Sequence, residues 1–132
     1  MKYMLDTNTC IFAINGNHSV RLRFMREYPS GLAVSAISEA ELWYGVENSS
    51  CPEKNIEILL TFLTTVETLP FDTLAAAEYG RVRTTLKRGG KLIGERDTLI
   101  AAHAKSTGLT LVTNNTREFE RVEGLLIEDW MQ

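Results

Sequence analysis

Four residues that lie far apart in the chain carry chemistry suited to a single site, namely Asp6, Glu41, Asp97 and Asn115. Asp6 ends the apolar run Tyr3-Met4-Leu5. Glu41 lies in the segment after Leu32-Ala33-Val34. Asp97 leads into Thr98-Leu99-Ile100-Ala101-Ala102, and Asn115 follows Leu109-Thr110-Leu111-Val112. Parallel strands end on a common edge of their sheet, and open α/β sheets build their sites there. Like charges brought together on that edge repel unless a divalent cation sits among them. Carboxylate and amide oxygens suit Mg²⁺ or Mn²⁺. Such a cluster can activate a water and stabilise the leaving oxygen of an in-line phosphoryl displacement.

Each residue also has a plainer reading. Asp6 precedes a helix-like segment, where Asp is a favoured N-cap, and it can cap and ligate at once. Asp97 has the same capping alternative. Helical spacing sets Glu41 near Ile37 and Tyr44, on the shoulder of an apolar arc with Ala36, Ala40 and Trp43. A carboxylate beside a buried face must be paired, neutralised or bound to a cation. Ion pairing with a Lys or Arg is the alternative for Glu41. Asn115 brings an oxygen without charge, and Glu118, about one turn on, is a further acid.

The elements that must position these groups alternate. Strands are expected at Tyr3 to Leu5, Leu32 to Val34, Val66 to Phe71, Leu109 to Val112 and Leu125 to Ile127. Helices are expected from Thr7 to Ile14, Ser19 to Tyr28, Ala36 to Asn48, Glu53 to Thr64, Asp72 or Thr73 to Arg88, Glu95 or Asp97 to Thr107, and one turn from Thr116. Pro52 suits a first helical position, Gly89-Gly90 and Gly108 suit helix ends, and Pro70 suggests an edge strand or a strand ending. Strands alternating with helices imply an α/β fold with a mostly parallel sheet covered on both faces.

The 132 residues fit one domain, 1–132. A 44% hydrophobic and 23% charged composition is that of an ordinary globular chain. No apolar run reaches the roughly 18 residues of a membrane span, and the short start meeting Asp6 is no signal peptide, so a cytoplasmic location is expected. Cys10 and Cys51 lack metal-ligand spacing and read as free thiols. The net charge of −3 argues weakly against nucleic acid. A cluster of acids lowers that total by itself, however.

In order and spacing the chain resembles the PIN-domain ribonucleases, and within them the VapC toxins of bacterial toxin–antitoxin pairs. The resemblance rests on five pieces: Tyr3-Met4-Leu5-Asp6-Thr7-Asn8; Ser35-Ala36-Ile37-Ser38-Glu39-Ala40-Glu41-Leu42 with Tyr44-Gly45; Ile93-Gly94 ahead of Asp97; Leu99-Ile100-Ala101-Ala102-His103-Ala104; and Leu111-Val112-Thr113-Asn114-Asn115 with Glu118-Phe119 and Arg121-Val122. It implies a three-layer α/β/α sandwich and a Mg²⁺- or Mn²⁺-dependent endoribonuclease leaving a 5′-phosphate and a 3′-hydroxyl. The metal ligands would be Asp6, Glu41 and Asp97, with Asn115 at a fourth position that is acidic in much of the wider family. One metal ion is then a safer expectation than two. Thr7, Ser35 and Thr113 would be supporting hydroxyls. It further implies a VapB-type antitoxin whose C-terminal segment crosses the site, and a homodimer. Trp43 and Tyr44 could pack on that antitoxin, although core positions are the plainer reading. The ending Glu128-Asp129-Trp130 resembles VapC chains that cut the anticodon stem-loop of initiator tRNA.

An RNA strand entering an acidic site needs flanking cations. Lys87, Arg88, Lys91 and Arg96, with Arg81 and Arg83 before them, precede Asp97, and Arg21, Arg23 and Arg26 form a second group. A solvated helix face is the usual fate of such a run. His103 is expected to pack within its helix. Other classes remain. A HAD-like phosphohydrolase would use Asp6 as nucleophile but wants an acid two residues on, where Asn8 stands. A receiver-like domain wants an Asp after a middle strand, where Ser35 stands. A PIN domain could also bind a partner without catalysis.

Overall fold

The computed structural model describes residues 1–132. Five strands form one sheet: β1 (Tyr3–Leu5), β2 (Leu32–Ser35), β3 (Glu67–Leu69), β4 (Thr110–Val112) and β5 (Ile127–Glu128). Their order is β3-β2-β1-β4-β5 and every pairing is parallel. The helices are α1 (Thr7–Ile14), α2 (His18–Glu27), α3 (Ala36–Glu47), α4 (Pro52–Leu63), α5 (Thr73–Arg88), α6 (Glu95–Thr107) and α7 (Thr116–Phe119), with a 3₁₀ turn over Tyr28–Ser30.

Successive strand residues point to opposite faces, and the two cores follow from this. Tyr3 and Leu5, with Leu32, Val34 and Val112, meet Cys10, Val20, Leu42, Leu59, Phe62 and Trp130 on one face. Met4, Ala33 and Leu111 meet Val82, Leu86, Ile100, Ala101, Ala104 and Phe119 on the other. The result is the three-layer α/β/α sandwich. Ala101, Ala102 and Ala104 are wholly buried, and small side chains let α6 approach the sheet closely.

Most expected elements are present with ends shifted by a residue or two. Pro52 opens α4, Gly108 closes α6 with φ +74°, and β3 with its following Pro70 is an edge strand. The last strand differs. It begins at Ile127 rather than Leu125, because Val122 to Gly124 form a tight turn and Leu125 packs into the second core before pairing starts.

The chain starts in the middle of the sheet, builds β2 and β3 to one side, then crosses to build β4 and β5 on the other. The order therefore reverses between β1 and β4. Where connections leave in opposite directions a crevice opens outside the strand ends, and that is where open α/β sheets place ligands. Asp6 follows β1, and Thr113 to Asn115 follow β4.

Candidate active site

Asp6 is set at this reversal by its neighbours. Its N–H donates to the Val112 carbonyl at 3.0 Å, which joins the ends of β1 and β4. Its carboxylate accepts from the Thr9 N–H at 2.8 Å as the N-cap of α1, and the Thr9 hydroxyl donates to Val112 O at 3.0 Å. The capping role and a place on the sheet edge therefore coexist. The residue is 5% exposed. Burial pushes its carboxyl above the usual range, the negative charge of Glu41 adds to this, and hydrogen bonds from Thr113 and Thr9 oppose it.

Glu41 comes from the second turn of α3, the helix that β2 launches. The Thr7 hydroxyl donates to its Oε1 at 2.6 Å, and Arg96 Nε lies 3.5 Å from Oε2. Only part of the expected apolar arc is there: Ile37 and Trp43 pack partly on the cores, but Ala40 and Tyr44 face solvent, and α3 fully buries Ser38 and Leu42 instead. The inward stripe passes through residues 38 and 42, so Glu41 sits at its flank, aimed along the sheet edge. Trp43 packs partly on the first core and donates to Glu39 Oε2 at 3.0 Å, whereas Tyr44 is 68% exposed rather than a core residue.

Asp97 is not a helix cap. Gly94 takes that position, and the Thr98 N–H and hydroxyl both donate to its carbonyl. Asp97 lies within the first turn of α6, its carboxylate free of capping duty and beside Gly94 (a Cβ there would stand 3.8 Å from Asp97 Oδ2 and 3.8 Å from Glu118 Oε1). Burial raises the Asp97 carboxyl to about 7, together with the charge of Glu118, a hydrogen bond shared with it, and the charges of Asp6 and Glu41. Glu118 is held the other way. Burial opposes its ionisation, but the Gly94 N–H at 3.0 Å, the Asn115 amide at 2.5 Å, Asp97 and Arg121 together keep it below the usual carboxylate range. Ionisation is thus disfavoured at Asp97 and favoured at Glu118.

The structure brings Asp6, Glu41, Asp97 and Glu118 from four segments into one electrostatic neighbourhood. Asn115 joins them through Glu118 and donates its own N–H to Thr113 Oγ1 at 3.0 Å. Thr7 and Thr113 each touch an acid or its neighbour. Ser35 is directed elsewhere: its hydroxyl accepts from the Ile37 N–H and lies 2.7 Å from His103 Nδ1. His103 is 1% exposed and meets the Phe71 ring edge-on, and burial lowers its basicity. Among the expected RNA-facing cations, Lys87 and Arg88 are exposed at the end of α5, Lys91 lines an open cleft, and Arg96 pairs with Glu41. Arg23 pairs with Glu128, which also accepts from Trp130 Nε1 at 3.1 Å, so Arg23 ties α2 to β5. Sequence reasoning missed Arg117 and Arg121, which flank the acids on α7 and just after it; their spacing of four residues around Glu118 was the available signal.

The donor set fits a hard divalent cation: oxygen only, with several carboxylates and one neighbouring guanidinium. As arranged, no three His, Cys, Asp or Glu side chains converge closely enough to hold an ion. Glu41 and Glu118, on long rotatable side chains, are engaged by Thr7 and Arg96 and by Gly94 and Asn115 respectively.

Residues 3–125 match the PIN domain family. The chain is 47% identical over 131 residues to the tRNA(fMet)-specific endonuclease VapC of Salmonella typhimurium, covering 98% of each protein. The chain belongs to the VapC ribonucleases of the PIN-domain family. It is 45% identical to ribonuclease VapC2 of Haemophilus influenzae, with 99% of each chain covered. The crystal structure of DNA-bound VapBC from Salmonella typhimurium superposes with a TM-score of 0.94 at 47% identity, covering 98% of each chain. The VapC likeness thus extends over the whole sandwich, and membership of a ribonuclease family displaces the phosphohydrolase and receiver alternatives.

Proposed function

We propose that this VapC protein is the toxin of a toxin–antitoxin pair and a Mg²⁺- or Mn²⁺-dependent endoribonuclease acting on initiator tRNA, within a single PIN domain. The observation that carries the reading is that Asp6, Glu41, Asp97 and Glu118 share one electrostatic neighbourhood, in which burial first, and the neighbouring negative charges after it, raise the Asp97 carboxyl to about 7. Acids assembled against their own repulsion make chemical sense as the socket of a cation. Asp6, Glu41 and Asp97 would hold it, with Asn115 contributing an oxygen directly or through water. When bound, a divalent ion favours a nucleophilic form of water at neutral pH and neutralises charge on the phosphodiester and its leaving oxygen.

The chain's own residues do the rest. Asp6 is rigidly placed by its cap to Thr9 and by the β1–β4 junction. Thr7 orients Glu41 through its hydroxyl. Arg96, 3.5 Å from Glu41, offsets the charge of that carboxylate and would compete with a cation for it. Asn115 and Gly94 fix Glu118 where its charge governs the proton on Asp97. The initiator tRNA assignment rests on the activity for which the 47% identical Salmonella relative is named.

A VapB-type antitoxin is the proposed partner, supported by the VapBC complex that this fold matches. Two apolar grooves suit such a partner. One of about 400 Å³ includes Ile14, Phe24 and Ile58; one of about 340 Å³ includes Ile11, Val46 and Ile58 and reaches Glu41. An amphipathic segment seated there would lie beside the acids. A cytoplasmic location and a homodimer belong to the same proposal; no helix is long and apolar enough to cross a membrane.

The test is cleavage of purified initiator tRNA, beside elongator tRNAs, with Mg²⁺ or Mn²⁺ and with EDTA, by the wild type and Asp97→Asn. Specific cleavage that needs the ion and is lost in the variant is expected. Cleavage indifferent to EDTA and to the substitution would overturn the mechanism.

A further inference from the structure

On the side away from the apolar grooves, the acidic edge opens into a cleft of different character. Gly90, Lys91, Arg117, Glu120 and Arg121 line a space of about 720 Å³ with no hydrophobic residue among them. It adjoins a second space of about 460 Å³, to which Gly94, Asn115 and Glu118 belong, and Arg117 and Arg121 line both. A path therefore runs from Lys91, past the two arginines, to Glu118 and Asn115. Two hydrogen bonds fix its walls: Gly94 N–H to Glu118 Oε1 at 3.0 Å, and Arg121 Nη1 to the Leu92 carbonyl at 3.2 Å. These tie the loop between α5 and α6 to α7.

The charges are available. Lys91, Arg117 and Arg121 are exposed and none makes an ion pair, in contrast to Arg23, Arg26, Arg81, Arg96 and Lys105. Against them the cleft wall sets only Glu120, with Glu118 at the inner end. The outer space, wide, cationic and without apolar lining, does not fit an amphipathic protein segment, which needs surface to bury, and Leu92 and Ile93 enter only the inner one. The outer space fits successive phosphates, which exchange condensed counterions for Lys and Arg and which Arg binds in bidentate fashion.

We infer that the cleft formed by Lys91, Arg117 and Arg121 is the track along which the single-stranded RNA backbone on one side of the scissile bond is held. This rests on the ribonuclease reading and adds the strand's path. Lys91 and Arg117 take phosphates, and Arg121, tied to Leu92, both lines the track and braces it. Their effect is on substrate binding, since they line the cleft while Glu118 and Asn115 stand at its inner end.

The experiment compares Lys91→Gln/Arg117→Gln with Lys2→Gln/Lys54→Gln, which removes the same charge from surface outside the cleft. Binding of a fluorescent anticodon stem-loop RNA is followed between 50 and 200 mM salt in the non-cleaving Asp97→Asn background, and cleavage kinetics in the otherwise unaltered protein. Two lost phosphate contacts lower the slope of log affinity against log salt by about 1.4, so affinity should fall about sevenfold less across that range than in the parent. KM should rise while kcat is kept, and the control pair should match the parent. An unchanged salt slope and KM in the cleft variant, or an equal change in the control, overturns the track, including in favour of an acidic protein partner at the cleft. Failure of the ribonuclease reading shows separately, as absence of cleavage by the unaltered protein.

Discussion

Asp6 is asked to do two things, and substitution can separate them. As N-cap it accepts one hydrogen bond from Thr9, and as a carboxylate it contributes negative charge to the sheet edge. Asn keeps the capping oxygen and the shape but removes the charge; Ala removes both. A lost cap costs about 1 kcal/mol, which in a chain of this size lowers Tm by roughly 3–5 °C. Asp6→Ala should show that loss relative to Asp6→Asn. Asp6→Asn should show none without metal, and a gain is in order, because a buried charge that Glu41 repels has been removed. Both variants should lose ribonuclease activity alike. The measurements are urea midpoints in EDTA and initial cleavage rates with Mg²⁺. If Asp6→Asn unfolds as easily as Asp6→Ala, or retains near-parental activity, the division between cap and charge is wrong.

Asp97 gives a pH signature. Its folded-state pKa of about 7 lies above its ordinary 3.8. The folded state then binds the proton more tightly than the unfolded chain, so this contribution is fully present below about 4 and is lost as pH rises through about 7. Metal-free urea midpoints should accordingly fall from pH 5 to pH 8 in the wild type and do so less steeply in Asp97→Asn, while stabilisation by added Mg²⁺ should grow over the same range. Thr7→Val removes the 2.6 Å hydrogen bond to Glu41; a stability change of only about 1 kcal/mol should accompany a clear drop in cleavage rate. Ser35→Ala should do the reverse, costing about 1–3 kcal/mol by stranding the buried His103 ring nitrogen while the folded variant keeps its kcat. Arg96→Gln frees Glu41 of its cation, so Mn²⁺ affinity measured by calorimetry should rise.

Much of the site's outline is legible because it follows from strand direction. An apolar run ending in Asp6, and the runs ahead of the helix of Glu41 and ahead of Asn115, place those three on one edge once the strands are parallel, and Asp97 joins them because the helix whose first turn holds it runs back into β4. Finer placement depends on side-chain competition that spacing does not encode. Asp97 looks like a cap, since acids favour that position, but Gly94 reaches the cap through its backbone alone, with φ −54° and ψ 147°. Glu41 looks like part of an apolar arc because Ala40 and Tyr44 are apolar by type, yet the helix turns Ser38 and Leu42 inward to satisfy the sheet. Ser35 follows a strand as Asp6 does, but the buried imidazole of His103 claims its hydroxyl. The partnership of Glu118 with Asp97 depends on a loop, 89–94, whose path only the folded chain defines.

The central claim is that acids from distant segments form one divalent-cation site, and Mn²⁺ binding followed by calorimetry or electron paramagnetic resonance tests it without reliance on any RNA. At pH 7.5 the wild type should bind Mn²⁺ in competition with Mg²⁺, and Asp6→Asn and Asp97→Asn, shown to be folded by circular dichroism, should each lose that binding. Equal Mn²⁺ binding by the wild type and both folded variants would contradict the claim.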